Sequence, residues 1–126
     1  MVEIMITRRL DELKEIVALD DTVVREFLNP HHEGADLVLG YSLAHASLAS
    51  GKASLPHRFK EASEVYYILR GRGIMHIDNE TAEVGPGEMV YIPPKSVQYI
   101  ENAGEDSLDF LCIVYPAWKP DAEELA

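Results

Sequence analysis

From Thr22 onward the chain is cut into short apolar segments by turn-forming residues, and the intervals between turns leave no room for helices that could pack. Segments rich in Val, Ile, Tyr and Leu occupy residues 22–28, 37–48, 52–59, 64–70, 73–77, 81–84, 88–92, 97–101 and 108–115. Between them stand Gly51, Gly71-Arg72-Gly73, Asp78-Asn79, Gly85-Pro86-Gly87, Pro93-Pro94 and Ala103-Gly104, residue types that tolerate tight turns. Closely spaced strands with no intervening helix pair antiparallel. The pattern therefore predicts an all-β sandwich or barrel of about eight strands. Only residues 7–17 show helical spacing, with Leu10, Leu13, Ile16 and Val17 on one side and Thr7 as the cap, which predicts a short N-terminal helix.

A chain of 126 residues is the size of one domain with one sizeable core. It shows no repeat, linker or low-complexity segment, so residues 1–126 read as a single unit. The barrel core spans about residues 20–118, and residues 119–126, ending in DAEELA, read as a mobile acidic tail. With 22 Asp and Glu against 11 Lys and Arg, the formal charge is −11, which repels phosphate backbones and anionic lipid surfaces. Nucleic acid and membrane partners are thus not expected. Because the carboxylates are spread along the chain, the charge reads as ordinary solubility. The one cysteine, Cys112, lies in the apolar run FLCIVY, has no internal disulfide partner, and reads as an inert buried thiol in a reducing cytoplasm. The stretch MVEIMITRRLDELKE has no apolar signal core, and no window approaches the ~20 apolar residues that span a bilayer. A cytoplasmic protein is expected.

Strand periodicity decides which side chains can meet. His57 and Phe59 share one face of their strand, and Glu64, Tyr66 and Ile68 share one face of the next. If 52–59 pairs with 64–70 through Lys60 to Ser63, His57 and Glu64 come together across the pair. An imidazole and a carboxylate on a rigid sheet can begin a metal site, and a simple His–Glu hydrogen bond would read the same way.

The order and spacing of these residues resemble the cupin superfamily, in particular its small single-domain members. The first cupin motif runs glycine, five residues, His-x-His, three or four residues, glutamate, six residues, glycine. Here that frame reads Gly51, His57, Phe59, Glu64 and Gly71, with Phe59 in place of the second histidine. The second motif runs glycine, five residues, proline, one residue, glycine, two residues, histidine, three residues, asparagine. Here it reads Gly87, Pro93, Lys95, Gln98 and Asn102, so Lys95 replaces a glycine and Gln98 a histidine. EVYYILRGRG, VGPGEMVYIPP, IEN and LDFLCIVYPAW extend the likeness over about residues 20–118. The resemblance implies a double-stranded β-helix, or jelly-roll barrel. It also implies one divalent metal inside the barrel, in typical members manganese, iron, nickel, zinc or copper. Carried over position by position, the metal ligands would be His57, Glu64 and Gln98. Phe59 has no lone pair to offer, and the carbonyl oxygen of Gln98 is a harder, weaker donor than imidazole.

Other residues have both a pocket reading and a bland one. His45 lines the pocket if its strand turns that face inward, and is otherwise satisfied or solvent-facing. Arg25 can hold a carboxylate with its planar fork, or sit in a surface salt bridge. Phe59 and Tyr66 line the pocket or, with Ile68, Met75 and Tyr99, simply fill the barrel. His76 alternates with core-facing Met75 and Ile77 and reads as outward, and His31 and His32 read as an exposed loop. No nucleophile elbow or phosphate-binding frame is present, which removes covalent catalysis and nucleotide phosphate binding as leading ideas.

The expected function is a small cupin barrel with a weak divalent site at His57, Glu64 and Gln98 that acts on a small oxygen-bearing metabolite, a carboxylate or enol. The alternatives are a metal-free small-molecule-binding cupin and a structural or regulatory dimer whose barrel is packed full. Small cupins commonly pair, so a homodimer is expected, with the exposed strand TVVREFL offering backbone groups to a partner.

Overall fold

The computed structural model describes residues 5–126, so Met1 to Ile4 of the amino-terminal stretch lie outside it. The described residues form eleven strands. They are β1 (Glu15–Val17), β2 (Val23–Leu28), β3 (Ser42–Leu48), β4 (His57–Phe59), β5 (Ser63–Arg70), β6 (Gly73–Ile77), β7 (Glu80–Val84), β8 (Met89–Ile92), β9 (Gln98–Asn102), β10 (Leu108–Tyr115) and β11 (Glu123–Leu125). Six of them make one sheet, ordered β1-β2-β3-β10-β5-β8, and five make the other, ordered β11-β4-β9-β6-β7. All pairings are antiparallel. The two sheets face each other as the jelly-roll barrel that the turn spacing and the cupin frames imply.

Four expectations change. The helical spacing at 7–17 yields only a 3-10 turn at Leu10–Glu12, followed by β1, which pairs Glu15 with Arg25 and Val17 with Val23. A helix this short is marginal alone, whereas an extended Glu-Ile-Val segment with two β-branched residues satisfies its backbone on β2. β2 is consequently not an open edge, since β1 covers one side and β3 the other. The acidic tail is also not loose: β11 pairs with β4, matching Glu123 to Phe59, Glu124 to Arg58 and Leu125 to His57.

The fourth change bears on the site. β4 and β5 are not partners; β4 pairs with β9 and β11, and β5 with β10 and β8. The short connection after Phe59 carries the chain from one sheet to the other. Lys60 N donates to Ala122 O at 2.9 Å, and Lys95 N donates to Phe59 O at 2.8 Å. His57 and Glu64 therefore belong to opposite walls of the barrel.

Period-two alternation sets the interior. Along β5, Glu64, Tyr66 and Ile68 are buried while Tyr67 and Leu69 are exposed, and along β9, Gln98, Ile100 and Asn102 are buried. Ile68, Met75, Ile92, Ile100, Leu108 and Phe110 belong to one packed cluster. Phe59, Ala62 and Val114 form a second, covered by Trp118 and Ala122. Gly71 has a positive φ of 88° and sits so close to Ser107 that a Cβ there would lie 2.5 Å from its carbonyl oxygen, so only glycine fits this turn. Lys95, in the place of the second motif's glycine, keeps the left-handed backbone of that position, with φ of 72°.

Candidate functional site

A cavity of about 260 Å³ opens between the sheets. Of the buried residues in the larger packed cluster, only Tyr66 and Phe110 reach it, so the barrel is solid over one part and hollow over another. The barrel is therefore not packed full. Its walls are largely apolar, with Val24, Ala44, Phe59, Phe110 and Val114 among them, and its polar groups include Asp20, Glu26, His32, His57, Glu64 and Glu123.

Asp20 precedes β2 in the turn Asp20-Asp21-Thr22. Thr22 donates to its Oδ1 twice, from Oγ1 at 2.7 Å and from the backbone N at 3.2 Å. The Asp20 carbonyl in turn accepts Leu55 N at 2.7 Å, tying this turn to the segment that leads into β4. His57, 1% exposed, then places its Nδ1 2.7 Å from Leu55 O. A carbonyl oxygen carries no proton, so Nδ1–H donates and Nε2 is the nitrogen outside this bond. Nε2 lies 3.6 Å from Asp20 Oδ2, near enough for charge interaction but longer than a hydrogen bond.

A three-membered chain spans the two walls, from Tyr66 and Glu64 on β5 to Gln98 on β9, the register partner of His57. Tyr66 Oη donates to Gln98 Oε1 at 3.0 Å, and Gln98 Nε2 donates to Glu64 Oε1 at 3.2 Å. Gln98 is completely buried and does not line the cavity, whereas Tyr66 and Glu64 do. Glu123 arrives from β11 and accepts Trp118 Nε1–H at 3.1 Å. Among the described residues no buried side-chain nitrogen or oxygen is left without a partner.

Burial controls the ionisation of this group. The Glu64 carboxyl is pushed well above the ordinary carboxylate range, first by desolvation and then by the nearby charges of Glu123 and Asp20, against which the Gln98 hydrogen bond works. Glu123 is also raised, again by desolvation first, with the Trp118 bond and His57 pulling it back. The Tyr66 phenol and the Cys112 thiol are both pushed up by burial and then by Glu64. Cys112 lines the cavity but, held as a neutral thiol, is no nucleophile.

The structure brings His57, Glu64, Phe59 and Tyr66 to one cavity, with Gln98 beneath it. It places Arg25 and His45 elsewhere. They are register partners on the outer face of β2 and β3, and line a separate outer groove with Glu15, Ser47, Ser107 and Asp109. The parity of β3 decides this: Ala44 and Ala46 point inward, so His45 cannot. Arg25 reaches Glu15 at 3.8 Å, the surface salt bridge of its bland reading. His76 stacks on Tyr99 with ring centroids 4.1 Å apart and bonds Glu101 at 3.0 Å, outside the barrel. His32 contacts the Glu26 carboxylate at 2.8 Å, sits edge-on to Trp118, and lines the cavity after all. Sequence reasoning missed Asp20, Glu123, Trp118 and His32. The Asp-x-Thr turn was a local signal for Asp20; nothing local marks Glu123, whose place depends on β11 crossing to β4.

The donor set can be tested against the divalent metal the fold implies. Phe59 occupies one ligand position, and both ends of the Gln98 amide are engaged within the protein. Among the described residues no cluster of three His, Cys, Asp or Glu side chains is spaced to hold one ion. As arranged, Gln98 offers no free donor, which leaves His57 and Glu64 as the remaining members of the expected ligand set.

Two antiparallel sheets enclosing an acid-lined cavity define a barrel of the double-stranded β-helix class. The chain belongs to the cupin family: the cupin domain matches residues 44–114, more than half its length. It is 38% identical to an uncharacterized protein of Methanocaldococcus jannaschii over 96% of this chain and 94% of that one. It is 28% identical to an oxalate-binding protein of Thermotoga maritima over 56% of this chain and 59% of that one. In fold it matches the crystal structure of a predicted oxalate decarboxylase from Thermotoga maritima, with a TM-score of 0.73 at 23% identity, covering 88% of this chain and 99% of that chain. No helix among the described residues is long and apolar enough to cross a membrane.

Proposed function

We propose that this cupin binds a small oxygen-bearing molecule in its barrel cavity and can move a proton on it, using side chains in place of a metal. The observation that carries the reading is the Tyr66–Gln98–Glu64 chain, which uses the amide oxygen a metal would need and holds Glu64 at the cavity wall with its carboxyl pushed up by burial, toward the form that can donate a proton. Opposite it, His57 has its Nδ1 proton spent on Leu55, which leaves Nε2 as the nitrogen that takes the proton in this reading. An acid and a base on facing walls suit an enol or an alcohol adjacent to a carbonyl, where one group withdraws a proton as the other donates. Asp20, near Nε2, stabilises the imidazolium formed when His57 takes the proton.

The weak divalent site at His57, Glu64 and Gln98, holding manganese, iron, nickel or zinc, is the second reading. The His57 tautomer favours it, since a histidine ligand also donates its other ring proton to a carbonyl. Elemental analysis of protein purified without chelator or affinity metal separates the two. The acid–base reading expects no stoichiometric metal and unchanged ligand binding in chelator; stoichiometric metal whose removal abolishes binding refutes it.

A homodimer is the proposed assembly, through the outer face of the six-stranded sheet instead of the β2 edge. Two cross-strand stretches there carry no charge, the row Leu43-Ile113-Val65-Tyr91 and the Leu111-Tyr67-Met89 part of the next row, which continues on the far side of Leu111 through His45 to Arg25. Tyr67, Met89 and Tyr91 are 42%, 57% and 55% exposed. An uncharged face this wide on a chain of charge −11 is where two like-charged copies can meet with least repulsion. Light scattering of Tyr91→Glu, expected to be monomeric, tests it; a wild-type monomer at high concentration refutes it.

A further inference from the structure

Hydrocarbon makes up most of the cavity wall. More than half of the residues lining it are apolar, and Phe59, Phe110 and Val114 among them are buried. Phe59 brings a hydrocarbon ring to the place where the first motif's second histidine would bring a nitrogen. Among the described residues that line the cavity there is no lysine or arginine.

The apolar lining does not stop where the barrel opens. Ile16 and Leu19 line the cavity, yet they are 44% and 45% exposed. Ile16 is the register partner of the wall residue Val24, so β1 carries the inner surface of β2 one strand further, to the edge of the sheet. Two large aliphatic side chains held in water at the mouth of an apolar cavity stand to gain from an apolar guest. A guest with a hydrocarbon body would cover both.

Volume sets the size of that body. A dry apolar cavity of about 150 Å³ takes one benzene ring, and pockets for drug-sized ligands begin at about 300 Å³. At about 260 Å³, this cavity has room for one ring with a short substituent. Resting on the cavity reading above, we infer that the guest is an uncharged molecule built on one hydrocarbon ring, which lies on the apolar walls and the rim at Ile16 and Leu19 with its hydroxyl or carbonyl toward His57 and Glu64. A carboxylate of the same shape would lose its water with no arginine fork or lysine ammonium at the wall to replace it. A guest without the ring would leave the apolar walls and rim uncovered.

Three molecules separate ring from charge in the test. Phenacyl alcohol has the ring and an uncharged hydroxyketone, hydroxyacetone keeps the hydroxyketone without the ring, and phenylglyoxylate keeps the ring and ketone but ends in a carboxylate. Their affinities for the full chain are measured in the presence of chelator by calorimetry and by the fluorescence of Trp118, the single tryptophan and a cavity residue. Phenacyl alcohol is expected to bind at least about tenfold more tightly than either of the others, the gain from burying one ring or from sparing one charge its desolvation. Ile16→Ser should weaken phenacyl alcohol about two- to fivefold with the far-ultraviolet dichroism unchanged; Leu19→Ser is the second variant and should act the same way. Hydroxyacetone or phenylglyoxylate binding as tightly as phenacyl alcohol overturns the inference and leaves the cavity reading standing, and so does phenacyl alcohol bound equally well by wild type and both variants. No binding by any of the three overturns both.

Discussion

Tyr66→Phe isolates the hydrogen bond on which the site reading depends. The substitution removes one oxygen and leaves the ring, whose centroid lies 4.5 Å from that of Phe110, free to keep its packing. Tyr66 is 2% exposed and Gln98 is 0% exposed, so no solvent can replace the lost donor at Gln98 Oε1. An exposed hydrogen bond exchanged for water would change stability by ~1 kcal/mol or less, but a buried carbonyl left unpaired loses about 1–3 kcal/mol. For a domain of this size that corresponds to a drop in Tm of about 3–5 °C for each kcal/mol. Urea denaturation followed by circular dichroism gives the difference directly, and an unchanged m-value shows that the unfolded state is not the cause. A double-mutant cycle with Gln98→Met should return a coupling energy above ~0.5 kcal/mol, because the second substitution removes the orphaned oxygen. A loss under ~0.3 kcal/mol, or strict additivity in the cycle, would refute the Tyr66–Gln98–Glu64 chain and return the Gln98 oxygen to the pool of free donors.

Glu64 and Glu123 both hold their protons to higher pH in the folded state than in the unfolded chain, so the folded protein binds more protons once pH passes the unfolded carboxyl value of about 4.3. Their contribution to stability should be fully present below that pH and be lost as pH rises through the folded values, so Glu64→Gln should flatten this part of the pH dependence, measured by urea melts across the acid to neutral range. Lys95→Gly should raise stability by about 0.5–1 kcal/mol in the same assay, since relief of the left-handed backbone outweighs the extra freedom of an unfolded glycine. Deleting residues 120–126 removes β11 and the Glu123 partner of Trp118; a red-shifted Trp118 emission with the far-ultraviolet dichroism largely kept is expected, and an unshifted spectrum would mean that the strand does not cover the cavity.

Much of the fold was legible because strand alternation and turn residues are local. The segment 73–77 is β6 as read, 108–115 is β10, and most other strands differ by a residue or two at their ends. The cupin frames sit where their spacing put them, and even Lys95 keeps the backbone of the glycine it replaces. The pairing of β4 with β5 was misread because a short connection between antiparallel strands can be a hairpin or a step between sheets, and local residues do not distinguish them. The facing of His45 and Arg25 failed for a related reason: one residue of register reverses a strand's whole set of side chains.

The sequence by itself determined that this is one all-β cupin barrel, that His57, Glu64, Phe59 and Tyr66 point inward, and that Phe59 and Gln98 stand where imidazoles would. Those conclusions need only period-two geometry and spacing along the chain. Tertiary structure alone decided that Gln98 is bound to Tyr66 and Glu64, that Asp20 faces His57, and that the C-terminal strand brings Glu123 into the same cavity. Each of those contacts joins residues more than 30 positions apart or on opposite sheets, so it follows from how the barrel closes and not from any local preference of the chain.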